Sequence, residues 1–290
     1  MNDVVFDFEN VTGLYADLAG GNDTIRFQGD VVINGFVEIM GGGGDDIVEI
    51  PHDASLLVSG DFSFDGNRGD DSAISYGAVD NTLFVFGNTT IDTGTDRGHV
   101  ALGMCSFLGD LTVKSGDADG DLILLAPNAA TSSSGPLSLF VSGNLSVNTG
   151  DGLDRLIMHN AKVNGFFDLQ MDEASPFYSI SRTEVLHDVN ISLGGGDHWL
   201  TLRENHFRQN LTLLTGRGND QIHFEDCNIG RAATIRTRRG DDTVTFSHSH
   251  IGSILSANGG RGSEDRLSFF VTSVGRGVTH VGFEFTGNVP

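Results

Sequence analysis

A glycine-rich turn ending in aspartate returns along this chain every 22 to 25 residues, and that interval restricts the fold more than any other feature. The clearest copies are LTLLTGRGNDQIHF at 211–224, IRTRRGDDTVTF at 235–246 and LSANGGRGSEDRLSF at 255–269. The aspartates that anchor the turns are Asp23, Asp46, Asp71, Asp121, Asp154, Asp197, Asp220, Asp242 and Asp265. Their spacings are 23, 25, 50, 33, 43, 23, 22 and 23 residues. The gap of 50 holds two units, with His99 in the missing place, and the gap of 43 holds two, the degenerate one around Ser175. The gap of 33 holds one unit plus an insertion, assigned to PNAATSSSGP at 127–136.

Between turns the chain alternates apolar and polar residues, as in VNGFFDLQ at 163–170 and LGDLTVKS at 108–115. Period-two alternation is the mark of a strand with one buried face, and no segment sustains a helical period. A unit this short cannot bury its own apolar side chains, so units must stack. The reading is an all-β fold: one domain over 1–290, a single-stranded parallel β-helix (solenoid) of about eleven coils of roughly 22 residues. Strand twist makes a right-handed coil the expectation. Phe224, Phe246 and Phe269 share one phase and are expected to stack inside. Residues 270–290 depart from the repeat and are expected to cap its end. The opening Asn2-Asp3-Val4-Val5 resembles the middle of a repeat, so the chain is expected to be a piece of a longer protein.

Forty glycines and only five prolines suit many tight turns between short strands. The net charge of −22 is uneven. Residues 1–199 carry 7 Lys and Arg against 30 Asp and Glu; residues 200–290 carry 10 against 9. The acidic part repels nucleic acid and anionic membrane and attracts cations. No apolar run is long enough to span a bilayer as a helix, and no segment of this sequence is expected to act as a signal peptide. Cys105 and Cys227 fall five coils apart, on the order of 24 Å at the spacing of paired strands, too far for a disulfide.

Gly41-Gly42-Gly43-Gly44-Asp45-Asp46-Ile47-Val48 resembles the nonapeptide of haemolysin-type (RTX) calcium-binding repeats, with partial copies at 216–222 and 150–156. The likeness is confined to the turns, and there is one motif per coil where that family has two. It implies Ca²⁺ held between coils, with Asp23, Asp45, Asp46, Asp117, Asp119 and Asp121 as candidate ligands. The residues themselves leave two readings open. Like carboxylates stacked about 4.8 Å apart need a cation or a hydrogen bond to offset their repulsion. Each aspartate could equally cap its own turn. Arg217, Arg239 and Arg261 precede their aspartates at one phase and are expected to pair with them.

Other chemistry is thin. His206, Asn228 and His250 share a phase, but the two histidines lie two coils apart, too far for one zinc ion. Arg203, Glu204, His206 and Arg208 form the richest mixed cluster, read as a solvated corner. A flat threonine ladder of the ice-binding kind is not visible at any one phase. Two functions remain: a non-enzymatic extracellular or cell-surface structural or adhesive module, or a carbohydrate-active enzyme of β-helix fold. The expected partners are cell-surface glycans or other copies stacked end to end.

Overall fold

The structure, a computed structural model, describes residues 10–75, 82–125, 138–172 and 177–287. The assigned insertion at 127–136 and the degenerate anchor near Ser175 lie outside the described residues. Three parallel sheets run the length of the molecule, of 12, 12 and 11 strands, and the chain visits each in turn before moving up one rung. The first sheet begins with Gly13–Asp17, the second with Thr24–Arg26 and the third with Asp30–Ile33. Each strand pairs with those one coil before and after it, as expected of a solenoid. Eleven steps at the spacing of paired strands make a rod about 50 Å long. The segment expected as a cap adds a strand to every sheet, ending with Glu284–Gly287.

Alternation sets the core. In Leu211–Leu214 the leucines at 211 and 213 are buried while Thr212 and Leu214 face out, and the same pattern recurs in neighbouring coils. Side chains of equal phase then stack along the axis. Phe224 lies on Phe246 with ring centroids 4.4 Å apart, and Phe246 on Phe269 at 5.5 Å, the rings nearly parallel in both pairs. Such stacking adds about 0.5–1.5 kcal/mol per pair beyond burial. Cys105 and Cys227 are both buried and free.

Pairing fixes the register of the Gly–Asp turns and corrects two anchors. His99 pairs with Ser72 and Leu122, so Gly98, not His99, stands opposite Asp71 and Asp121. Trp199 pairs with Gln221, which puts His198, not Asp197, opposite Asp220. In both places a polar residue one position away from the anchor mimics it. We number the turns by the residue at this position: Asp23, Asp46, Asp71, Gly98, Asp121 and Asp154 are turns 1 to 6, and His198, Asp220, Asp242 and Asp265 are turns 8 to 11. Turn 7 falls within 173–176, outside the described residues.

The outer face of the first sheet also differs from expectation. Thr90, Thr112, Ser146, Asp168, Asn190, Thr212, Thr234, Ser256 and Thr279 form one continuous outward column. Hydroxyls do recur at one phase. The insertion and the interleaved Ser, Asn and Asp hide them from a search for evenly spaced threonine.

Candidate functional site

The anchor aspartates form a buried file. Asp46, Asp71, Asp121, Asp154, Asp220, Asp242 and Asp265 are each no more than 2% exposed. Each carboxylate accepts, at Oδ1, the backbone N–H of the same position one coil earlier. Asp46 accepts from Asp23 at 2.9 Å, Asp71 from Asp46 at 2.8 Å, Asp242 from Asp220 at 2.9 Å and Asp265 from Asp242 at 2.9 Å. The two turns without an aspartate still donate, Gly98 to Asp121 at 2.6 Å and His198 to Asp220 at 3.0 Å. Oδ2 of Asp46, Asp71, Asp121, Asp220, Asp242 and Asp265 has no hydrogen-bond partner.

Room for these carboxyls comes from the facing column. Gly41, Gly66, Ser115, Thr149, Thr215, Thr237 and Gly259 stand beside Asp46, Asp71, Asp121, Asp154, Asp220, Asp242 and Asp265. A Cβ on Gly66 would come within 2.4 Å of Asp71 Oδ2, so this place cannot take a larger residue without displacing the acid. Leu193 fills the column where His198 replaces the aspartate. Burial pushes the acids up: Asp71, Asp121, Asp220 and Asp242 to about 6 and Asp154 to about 7, with Asp46 and Asp265 raised as well. The accepted N–H bonds oppose this shift, and the neighbouring carboxyls of the file add to it.

One residue earlier a second ladder runs the opposite way on the surface. Here the N–H of a coil donates to the side chain of the coil before. Asp45 N–H donates to Asn22 at 3.0 Å, Asp70 to Asp45 at 3.0 Å, Arg97 to Asp70 at 3.3 Å, Leu153 to Asp119 at 3.0 Å and Asn219 to Asp197 at 2.6 Å. The corner between third and first sheets carries a third ladder, which sequence reasoning missed. Asn88 donates to Asp61 at 2.7 Å, Asp110 to Asn88 at 3.0 Å, Asn144 to Asp110 at 2.7 Å and Phe166 to Asn144 at 2.9 Å, and Asn210 donates to Asp188 at 3.0 Å. The signal was the Asp or Asn after glycine at 60–61, 87–88, 109–110 and 143–144. Leu153 and Phe166 occupy ladder positions without an acceptor side chain.

The candidate calcium ligands therefore divide. Asp46 and Asp121 sit in the buried file, while Asp23 begins it through its N–H. Asp45, Asp117 and Asp119 lie in the outer turns, where Asp45 and Asp119 accept backbone N–H bonds and Asp117 accepts a long one from Asp151 at 3.4 Å. Among the described residues no group of three or more His, Cys, Asp or Glu side chains is gathered to hold a metal ion. The donors present do not gather as a Ca²⁺ site, because the outer carboxylates accept single backbone amides in separate coils and the buried ones are enclosed in the file.

The arginine expectation also fails. Arg217 and Arg239 align across adjacent coils, but no ion pair among the described residues involves Arg217, Arg239 or Arg261. The backbone, not arginine, holds the buried carboxylates. Ion pairs concentrate at the Arg203, Glu204, His206, Arg208 cluster. Arg182 and Arg203 meet Glu204 at 2.8 and 3.3 Å, Arg203 also meets Glu225 at 3.5 Å, and Glu184 takes Arg208 at 2.6 Å and Lys162 at 3.3 Å. The Arg182 bond holds the Glu204 carboxyl below its usual range. His206, Asn228 and His250 sit on successive rungs, as the spacing implies.

A shallow open groove of about 410 Å³ follows the outer face of the first sheet. Its polar lining includes Thr112, Ser146, Asn148, Gln170 and Asn190. Asp168 is its single carboxylate and accepts a 2.7 Å bond from Asn190. Acid–base cleavage of a glycosidic bond uses two carboxyls about 5–9.5 Å apart, and this lining offers one. No family model matches the chain, and no similar curated protein or solved structure is found, so the turns' likeness to haemolysin-type repeats rests on their own residues.

Proposed function

We propose that this chain is a non-enzymatic structural module of an extracellular or cell-surface protein, a stiff spacer whose first-sheet groove adheres to glycan. The observation that carries the reading is the engagement of the polar corners. Three side-chain ladders run along the axis, and their acceptors are engaged with backbone amides rather than converging on a reacting centre. The richest charged cluster is likewise spent on ion pairs. Hydroxyls and amides in the groove, beside the single carboxylate Asp168 and the ammonium of Lys114, suit a polyhydroxylated chain lying along the rod. In this reading the turns are held by their own hydrogen bonds and need no Ca²⁺.

The test is incubation of the chain with a panel of insoluble polysaccharides, scoring both retention and soluble product. Retention without release of reducing or unsaturated ends is expected, weakened by Asn190→Ala together with Thr212→Val. Catalytic release of oligosaccharide would overturn the reading in favour of an enzyme.

A further inference from the structure

The strands Phe177–Ser181, Trp199–Arg203 and Gln221–Glu225 are consecutive in the second sheet. Their register puts Phe177, Trp199 and Gln221 in one outward column and Ser179, Thr201 and His223 in the next. Trp199 is the single tryptophan of the chain and is 50% exposed; Phe177, on the rung before it, is 38% exposed. None of these six side chains carries a carboxylate, an ammonium or a guanidinium, on a chain whose net charge is −22. At the corners of the rod the polar side chains are tied to backbone amides or to one another. Here the side chains of Ser179, Thr201, Gln221 and His223 make no hydrogen bond or ion pair among the described residues. An indole left half in water beside four unengaged polar groups has the make-up of a recognition surface.

We infer that this face of the second sheet is a second glycan platform, taking a neutral chain of equatorially linked pyranose rings. Such a ring has two apolar faces of axial C–H bonds and a rim of hydroxyls. The C–H face lies on the electron-rich face of the indole, and the rim meets donors and acceptors on either side. Thr201 stands about 7 Å from Trp199 along its strand, and Gln221 stands one rung, about 4.8 Å, away. Both are within reach of the hydroxyls of a sugar seated on Trp199. The alternatives fit less well. An apolar protein surface would bury four polar side chains without partners. A nucleic acid needs cations for its phosphates, and these columns supply none at this place. The inference rests on the glycan reading of the first-sheet groove and extends it. Groove and platform belong to different sheets and look out from different sides of the rod, so one straight polysaccharide cannot lie on both. The module therefore holds two chains and bridges them, and the second contact adds avidity without further residues.

The experiment follows the emission of Trp199 in the full chain as cellohexaose, xylohexaose or chitohexaose is added. At least one hexaose should move the emission to shorter wavelength and shield the indole from acrylamide. Thr201→Val with Gln221→Ala should raise the half-saturating concentration about tenfold, and an unchanged far-ultraviolet dichroism spectrum confirms that this variant folds. The groove variant, Asn190→Ala with Thr212→Val, should keep the Trp199 response in full. Failure of the groove reading thus appears as unweakened retention of the groove variant on solid polysaccharide, and failure of the platform as a silent Trp199. A soluble polymer of the responding sugar should be cross-linked by the wild type, raising light scattering, and Trp199→Ala should abolish that rise. Emission unmoved by all three hexaoses at millimolar concentration would overturn the inference, as would a response undiminished by the Thr201, Gln221 variant or lost in the groove variant. No cross-linking by the wild type would overturn the bridging. A shift to shorter wavelength that grows with protein concentration alone would also overturn the inference, assigning the face to a second copy of the chain.

Discussion

Two corners of this solenoid solve one problem in opposite ways. At the corner between third and first sheets the ladder alternates, Asp61, Asn88, Asp110, Asn144, so no carboxylate stacks directly on another. At the Gly–Asp turns aspartate stacks on aspartate, in runs Asp23–Asp46–Asp71, Asp121–Asp154 and Asp220–Asp242–Asp265. The first corner is exposed, and dilution with a neutral amide is enough. The second is buried, and desolvation drives its acids toward the neutral form. The difference teaches that a stack of acids is tolerated here because it is dry, not in spite of it.

The largest break should come from Asp242→Ala. It leaves the Asp220 N–H buried without an acceptor and opens a void, costing about 2–4 kcal/mol in denaturant unfolding. At the exposed corner, Asp110→Ala should cost no more than about 1 kcal/mol. Equal losses at both sites would dissolve the contrast.

A second test uses pH. An acid whose folded pKa is raised above its unfolded value stabilises the fold below the unfolded value, near 4, and loses that contribution as pH rises through the folded value, here about 6. His99, His159, His198 and His206 are held below their usual range by burial and act in reverse, losing stability as pH falls below about 6.5. Comparing wild type with Asp242→Asn cancels those histidines. The difference in unfolding free energy should move toward the wild type by about 1–3 kcal/mol between pH 7.5 and pH 4.5. A difference that does not change with pH would show that Asp242 titrates normally.

The smallest effect is expected from Asn88→Asp, which turns the alternating corner into a run of three carboxylates. The cost should be about 0.5–1 kcal/mol and should vanish in high salt, because the site is exposed. Calcium should change the melting temperature of the wild type no more than the same concentration of magnesium does. A selective rise with calcium would return the outer turns to the metal reading.

Much of this was legible because Gly and Asp at a turn leave little choice of role, and because Phe224, Phe246 and Phe269 keep one phase. The errors were slips of one residue. His99 and Asp197 look like anchors, and only strand pairing shows that Gly98 and His198 hold the place. In a strand one residue is the difference between inside and outside, so a small slip misassigns the buried file. The arginines misled for another reason: phase was read correctly, but partnership depends on where a long side chain ends, which spacing does not encode. The alternating ladder was obscured by Phe166, Ala232 and Ile254, which stand where an acceptor would.

Leu153 and Phe166 interrupt two ladders within one coil of each other, and His198 replaces the acid of the buried file two turns on. The sheets run through this zone unbroken, but the side-chain cross-links do not. Gly98 breaks the same file at turn 4, but there the corner ladder through Asn88, Asp110 and Asn144 is continuous, so under tension or heat the weakest join should fall between turns 6 and 8. Amide exchange should therefore release in two steps rather than one, with the join opening first.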